Sequence, residues 1–171
     1  MSPTALDQLT AYTYAMTIPD YQTLMKPLLV LSQNEQKFQE SIAQVSDDFS
    51  LTEEERDQKL PSGRMSVMQN RVAWAITYLA KAGLVERKKR AHFSITEAGR
   101  KVVEENPENI NIAFLMRFPS FVDFRTPRKN GSQSTKESQV EDSSDLTPLE
   151  QIAKSHGELQ REVEHELLDR I

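Results

Sequence analysis

The chain has 171 residues, no cysteine and a formal net charge of -5. That length suffices for one core of about 100 residues plus extensions, and the lack of thiols excludes a disulfide framework or a thiolate metal site, as suits a reducing cytoplasm. No basic cluster precedes an apolar core at the N-terminus and no stretch approaches about 18 apolar residues, so a cytoplasmic protein with neither signal peptide nor membrane span is expected.

Residues 1–17 read either as a helix capped by Ser2, with Pro3 in its first turn and Leu6, Leu9 and Met16 on its apolar side, or as a frayed terminus. Asp20 caps a clearer helix lined by Leu24, Leu28 and Leu31, in which Pro27 predicts a kink or an early break. Residues 34–38 form a connector or a short first strand. Phe38, Ile42, Val45 and Phe49 then recur at helical spacing, and Thr52-Glu53-Glu54-Glu55 is a capping box that opens a further short helix ending at Pro61.

The centre of the chain is a long predicted helix over 64–82, capped by Ser62 or Gly63 and stopped at Ala82-Gly83-Leu84. Met65, Met68, Val72, Ala75, Ile76 and Leu79 share its buried face. Ser66, Asn70, Ala73 and Thr77 make a small polar face with Gln69 at its edge. A third stripe, Val67, Arg71, Trp74 and Tyr78, is assigned to packing against the N-terminal segment, a later helix or a second subunit. Strands are predicted over 84–87 and 92–95, joined by the basic turn Lys88-Lys89-Arg90-Ala91.

Thr96 caps a helix over 97–105 that Asn106-Pro107 stops. Residues 110–124 carry Ile110, Ile112, Phe114, Leu115, Met116, Phe118, Phe121, Val122 and Phe124, and read as a strap laid across the domain over Trp74 and Tyr78. From 125 the composition turns polar, as in a flexible linker. Thr147-Pro148-Leu149-Glu150 is a second capping box, and Leu149, Ile152, Leu159, Val163 and Leu167 line one side of a last helix. Such a helix needs a partner: a downstream domain, a dimer mate or the main core.

A helix followed at once by a basic-tipped hairpin is the layout of a winged helix, mainly α with a small antiparallel β wing, a helix-turn-helix variant that binds DNA. The acidic total hides a local excess. Between Arg64 and Lys101 nine basic residues stand against two acidic ones, a local +7 that leaves -12 for the remainder. Affinity for a duplex depends on the charges near phosphate, because salt screens distant ones within about 8 Å. Arg64, Arg87, Lys88, Lys89 and Arg90 are therefore the phosphate-contact candidates. Ser66, Gln69, Asn70 and Ala73 are the base-contact candidates, since amide side chains match adenine's donor and acceptor and small residues admit a base methyl.

Pro19-Asp20 followed by Glu35-Gln36-Lys37 matches the bare pattern of metal-dependent nucleases, but Asp20 reads as a helix cap and a helical stretch separates the carboxylates. His92, His156 and His165 lack partners at ligand spacing, and there is no glycine-rich phosphate loop or nucleophile motif. No catalytic, metal or cofactor site is expected.

Ile18-Pro19-Asp20-Tyr21, Leu51-Thr52-Glu53-Glu54-Glu55-Arg56, Leu60-Pro61-Ser62-Gly63-Arg64, Asn70-Arg71-Val72, Trp74-Ala75, Tyr78-Leu79, Lys81-Ala82-Gly83-Leu84 and Ile95-Thr96-Glu97-Ala98-Gly99-Arg100 together resemble the N-terminal domain of Mrr-type restriction proteins. The resemblance continues through Phe118 to Phe124 and Thr147-Pro148. It implies a winged-helix DNA-binding module that precedes a PD-(D/E)xK nuclease and helps a modification-dependent, type IV restriction system of host defence find methylated DNA. The chain stops where that nuclease would begin, so binding rather than cleavage is the activity expected of it.

The expected organisation is an extension over 1–17, a winged-helix domain with its strap over 18–124, a linker over 125–146 and an amphipathic helix over 147–171 that leads to a homodimer mate or a nuclease domain. The expected partner is double-stranded DNA, with no membrane. A stand-alone transcriptional regulator and a protein-interaction winged helix share these residues and remain alternatives.

Overall fold

The computed structural model describes residues 18–126 and 146–169. The expected extension over 1–17 and most of the expected linker lie outside that range. Asp20 opens α1 (Tyr21–Leu31) by accepting the backbone amides of Gln22 and Thr23 at 2.7 and 3.0 Å. Pro27 neither ends nor divides this helix. A proline inside a helix costs about 3 kcal/mol. Leu24, Met25, Leu28 and Leu29, on both sides of it, are wholly buried, and at about 1.5–3 kcal/mol each their burial outweighs that cost.

The two-residue strand β1 (Gln36–Lys37) leads directly into α2 (Phe38–Asp48). Thr52 and Glu55 form the expected capping box of α3 (Glu53–Asp57), with Thr52 N donating to Glu55 Oε2 at 2.8 Å. This helix stops short of Pro61 because the next residues pair with one another. Val67 N donates to Gln58 O and Leu60 N to Met65 O, while Gly63 takes a left-handed φ of 68° at the tip. That turn uses up Ser62 and Gly63. The long helix α4 (Val67–Lys81) therefore begins later than its sequence suggests, capped by Ser66, whose hydroxyl accepts the Gln69 amide at 3.1 Å.

Met68, Val72, Ala75, Ile76 and Leu79 put the predicted apolar stripe of α4 into the core against α1. Gly83, with φ 78°, ends the helix and turns the chain into β2 (Val85–Lys89). β2 and β3 (His92–Ile95) pair antiparallel, with Lys89 opposite His92 and only Arg90 and Ala91 at the tip. Ala91 takes φ 59° there. β2 thus runs two residues beyond its expected end, and the register shifts between Glu86 and Lys89. β1 adds to the other edge of β3, giving the order β1-β3-β2. Four helices leading to the hairpin of a small three-stranded antiparallel sheet make a winged helix-turn-helix, mainly α.

Thr96 caps α5 (Glu97–Glu105) and also donates its hydroxyl to Gly83 O at 2.6 Å, tying the helix start to the end of α4. The contact is tight enough to require glycine at 99. A Cβ there would lie 2.2 Å from the Leu84 carbonyl oxygen and 2.7 Å from Ile95. Gly99→Ala should cost about 1–3 kcal/mol despite alanine's higher helix propensity. A urea melt with an unchanged midpoint would show that the two elements can separate at no cost.

The strap is not extended. It folds as two short helices, α6 (Ile112–Leu115) and α7 (Pro119–Arg125), because Asn111 caps the first and Pro119 starts the second. Phe121 is fully buried and meets Tyr78 edge-on at 5.7 Å, and Tyr78 in turn meets Trp74 at 5.7 Å. Of the third stripe of α4, Tyr78 thus meets this later segment and also meets Tyr21 of α1 at 5.5 Å. The last helix, α8 (Pro148–Asp169), opens with the second capping box: Thr147 N donates to Glu150 Oε2 at 2.8 Å and Glu150 N to the Thr147 hydroxyl at 3.3 Å. The predicted apolar side beyond Ile152 falls on side chains outside the described set. Among the described residues, no helix is long and apolar enough to cross a membrane.

Candidate nucleic-acid interface

At 100° per residue the faces of α4 can be assigned around its axis. Gln69, Ala73, Thr77 and Ala80 fall together and are all half-buried; Val72 and Ile76 on one side of this strip are buried, while on the other Asn70 is buried, Trp74 half-buried and Lys81 exposed. Ser66 stands at its N-terminal end, half-buried, with its hydroxyl engaged as the helix cap. Three of the four base-contact candidates, Ser66, Gln69 and Ala73, therefore border one accessible ridge.

Asn70 does not. It is 1% exposed, and its amide nitrogen donates to the hydroxyl of Thr147 at 2.6 Å. The expectation that Asn70 reads a base edge is corrected: its side chain lies at the seam between α4 and the start of α8. The neighbouring Arg71 is also buried. Its guanidinium donates to the carbonyls of Ile18 and Pro19 at 2.6 and 3.3 Å and twice to Glu150 Oε1, at 3.0 and 2.8 Å. Arg71 thereby joins the chain entering α1, the middle of α4 and the first turn of α8, in keeping with the structural role expected of it.

The five phosphate-contact candidates are all exposed, but they do not form one cluster. Arg87 reaches back from β2 to donate to the Thr77 hydroxyl at 2.9 Å. Thr77 meanwhile donates to Ala73 O at 2.8 Å, so it both braces its own helix and receives the wing. Its place on the polar face was readable; the contact with Arg87 was not, since the two residues meet only once β2 has folded alongside α4.

Lys88 turns instead to an open groove it shares with Glu35, Glu86, Ser94, Thr96 and Arg100. There the Glu86 carboxylate, 2.8 Å away, accepts its hydrogen bond and holds its ammonium above the ordinary lysine value, so the charge persists through neutral pH. Lys89 lies 3.6 Å from Glu35. Exposed pairs of this kind contribute little and exchange readily for a phosphate. Arg64, in the turn before α4, and Arg90, at the wing tip, make no ion pair among the described residues.

Asp20 and Glu35, the two carboxylates of the nuclease-like pattern, serve different ends. Asp20 caps α1, and Glu35 faces Lys89 across the wing.

Residues 21–105 match the family model described as the Mrr N-terminal domain. No curated protein matches the chain, and no solved structure matches it.

Proposed function

We propose that this chain, which belongs to the Mrr N-terminal domain family through residues 21–105, holds double-stranded DNA for a restriction system. The observation that carries the reading is the Arg87–Thr77 contact, which fastens the basic hairpin to the accessible ridge of α4. A duplex lying along Gln69, Ala73 and Thr77 would meet Arg87 beside it, with Arg64 at one end of the ridge and Lys88, Lys89 and Arg90 along the wing. In this reading phosphate contacts supply the affinity, and Ser66, Gln69 and Ala73 supply what base discrimination there is.

Titration of a labelled random-sequence duplex against salt tests this. Engagement of four to six phosphates should give a log-log slope of about -4 to -5. Changing Lys88, Lys89 and Arg90 together to Ala should make the slope less steep by about 2–3. An unchanged slope would remove the wing from the interface, and absence of salt-sensitive binding by the parent chain would overturn the reading. The further proposal that a base modification is read is tested with matched unmethylated, adenine-methylated and cytosine-methylated duplexes. Equal affinity for all three would exclude it.

A further inference from the structure

We infer that the first turn of α8 is an autoinhibitory latch, which docks on the flank of α4 and must let go for the chain to bind a duplex fully. This rests on the DNA-binding reading above. On the helix wheel Asn70 lies between Thr77, on the accessible ridge, and Trp74. The Thr147 hydroxyl that bonds Asn70 therefore places the start of α8 along the edge of the surface proposed for DNA.

The grip is polar. Thr147 is 0% exposed and Glu150 is held by Arg71, whereas Leu149 and Ile152, the large apolar residues of the first two turns, are 45% and 61% exposed. The turn is thus gripped by the Thr147 hydroxyl and the buried Arg71–Glu150 pair, with Pro148 half-buried and Leu149 and Ile152 left largely in water. Apolar burial would resist separation, but both partners of an ion pair recover hydration when they part. The two oxygens of Glu150 divide between the tasks, Oε2 on the Thr147 amide and Oε1 on Arg71, so cap and grip are lost together. By sequence, the helix that follows carries six acidic residues against two basic ones from 148 to 169, a composition that opposes phosphate. DNA and the docked turn therefore compete, and by linkage each weakens the other to the same degree.

The experiment measures hydrogen exchange and duplex affinity on the full chain. In the free protein the Glu150 and Gln151 amides, bonded to the Thr147 hydroxyl and carbonyl, should be protected, and adding a random-sequence duplex should speed their exchange. Thr147→Val, which leaves the charge unchanged but removes the bond to Asn70 and the cap, should tighten duplex binding about fivefold or more. Duplex that leaves exchange at 147–151 unchanged or slows it would overturn the latch, as would a folded Thr147→Val chain with parental or weaker affinity. Should that variant fail to fold, the exchange result on the parent chain decides alone. Failure of the parent chain to bind any duplex would refute the DNA reading itself, and the latch with it.

Discussion

Replacing Phe121 with alanine should destabilise the protein by about 3–5 kcal/mol, although this residue lies outside the segment that matches the family model. The side chain is 0% exposed and sits between Tyr78 and Phe124, with ring centroids 5.7 and 6.1 Å away. Its removal would leave a cavity against α4, the helix on which α1, α2, β2 and α7 all pack. That helix cannot close the gap without disturbing its other contacts, so relaxation should recover little. Denaturant unfolding followed by circular dichroism gives the loss directly. A change below about 1 kcal/mol would mean that α7 only decorates the domain, and that the folding unit ends near the last matched residue.

The buried pair between Arg71 and Glu150 should respond unequally to loss of either partner. Arg71→Met fills similar space but leaves the buried carbonyl of Ile18 and the half-buried carbonyl of Pro19 without their donor. At about 1–3 kcal/mol for each unsatisfied group, a loss of about 3 kcal/mol is expected. Glu150→Ala should cost much less, because α8 can leave its seat and water can then reach Arg71. Removing one partner of a buried pair ordinarily costs about 3–5 kcal/mol when the other charge stays trapped. Equal losses of that size for both variants would mean that Arg71 has no route to water and that α8 is a fixed part of the fold. The comparison thus tests the latch without any nucleic acid.

The match of residues 21–105 to the Mrr N-terminal domain suggests a restriction-system module, and the exposed cations give the DNA reading proposed above its physical form. Two of the wing's cations already have acidic partners, Glu86 for Lys88 and Glu35 for Lys89. Those glutamates moderate the positive field of the wing, which in the proposed DNA reading would weaken its hold on a duplex that offers it no base contacts. In the proposed DNA reading the net charge of the whole chain is a poor guide, because nine basic residues stand against two acidic ones between Arg64 and Lys101.

Within one or two helical turns, the residues alone determined the structure. Asp20, Thr52, Thr96 and Thr147 each cap the helix that follows, Gly83 ends α4, and the Met68 to Leu79 stripe faces inward. Every one of these depends on partners a few positions away, or on burial that periodicity alone reveals. The cap of α4 was misplaced because Ser62 and Ser66 are equally good caps, and only the pairing of 58–60 with 65–67 decides between them. Asn70 was misassigned for the same reason on a longer scale: nothing near it in sequence distinguishes an amide facing a duplex from one facing Thr147, 77 residues away. The tertiary structure also decided which cation joins the ridge, since Arg87 meets Thr77 only when β2 lies beside α4. Local chemistry can specify a helix and its buried stripe; which polar face stays in water depends on what the rest of the chain places against it.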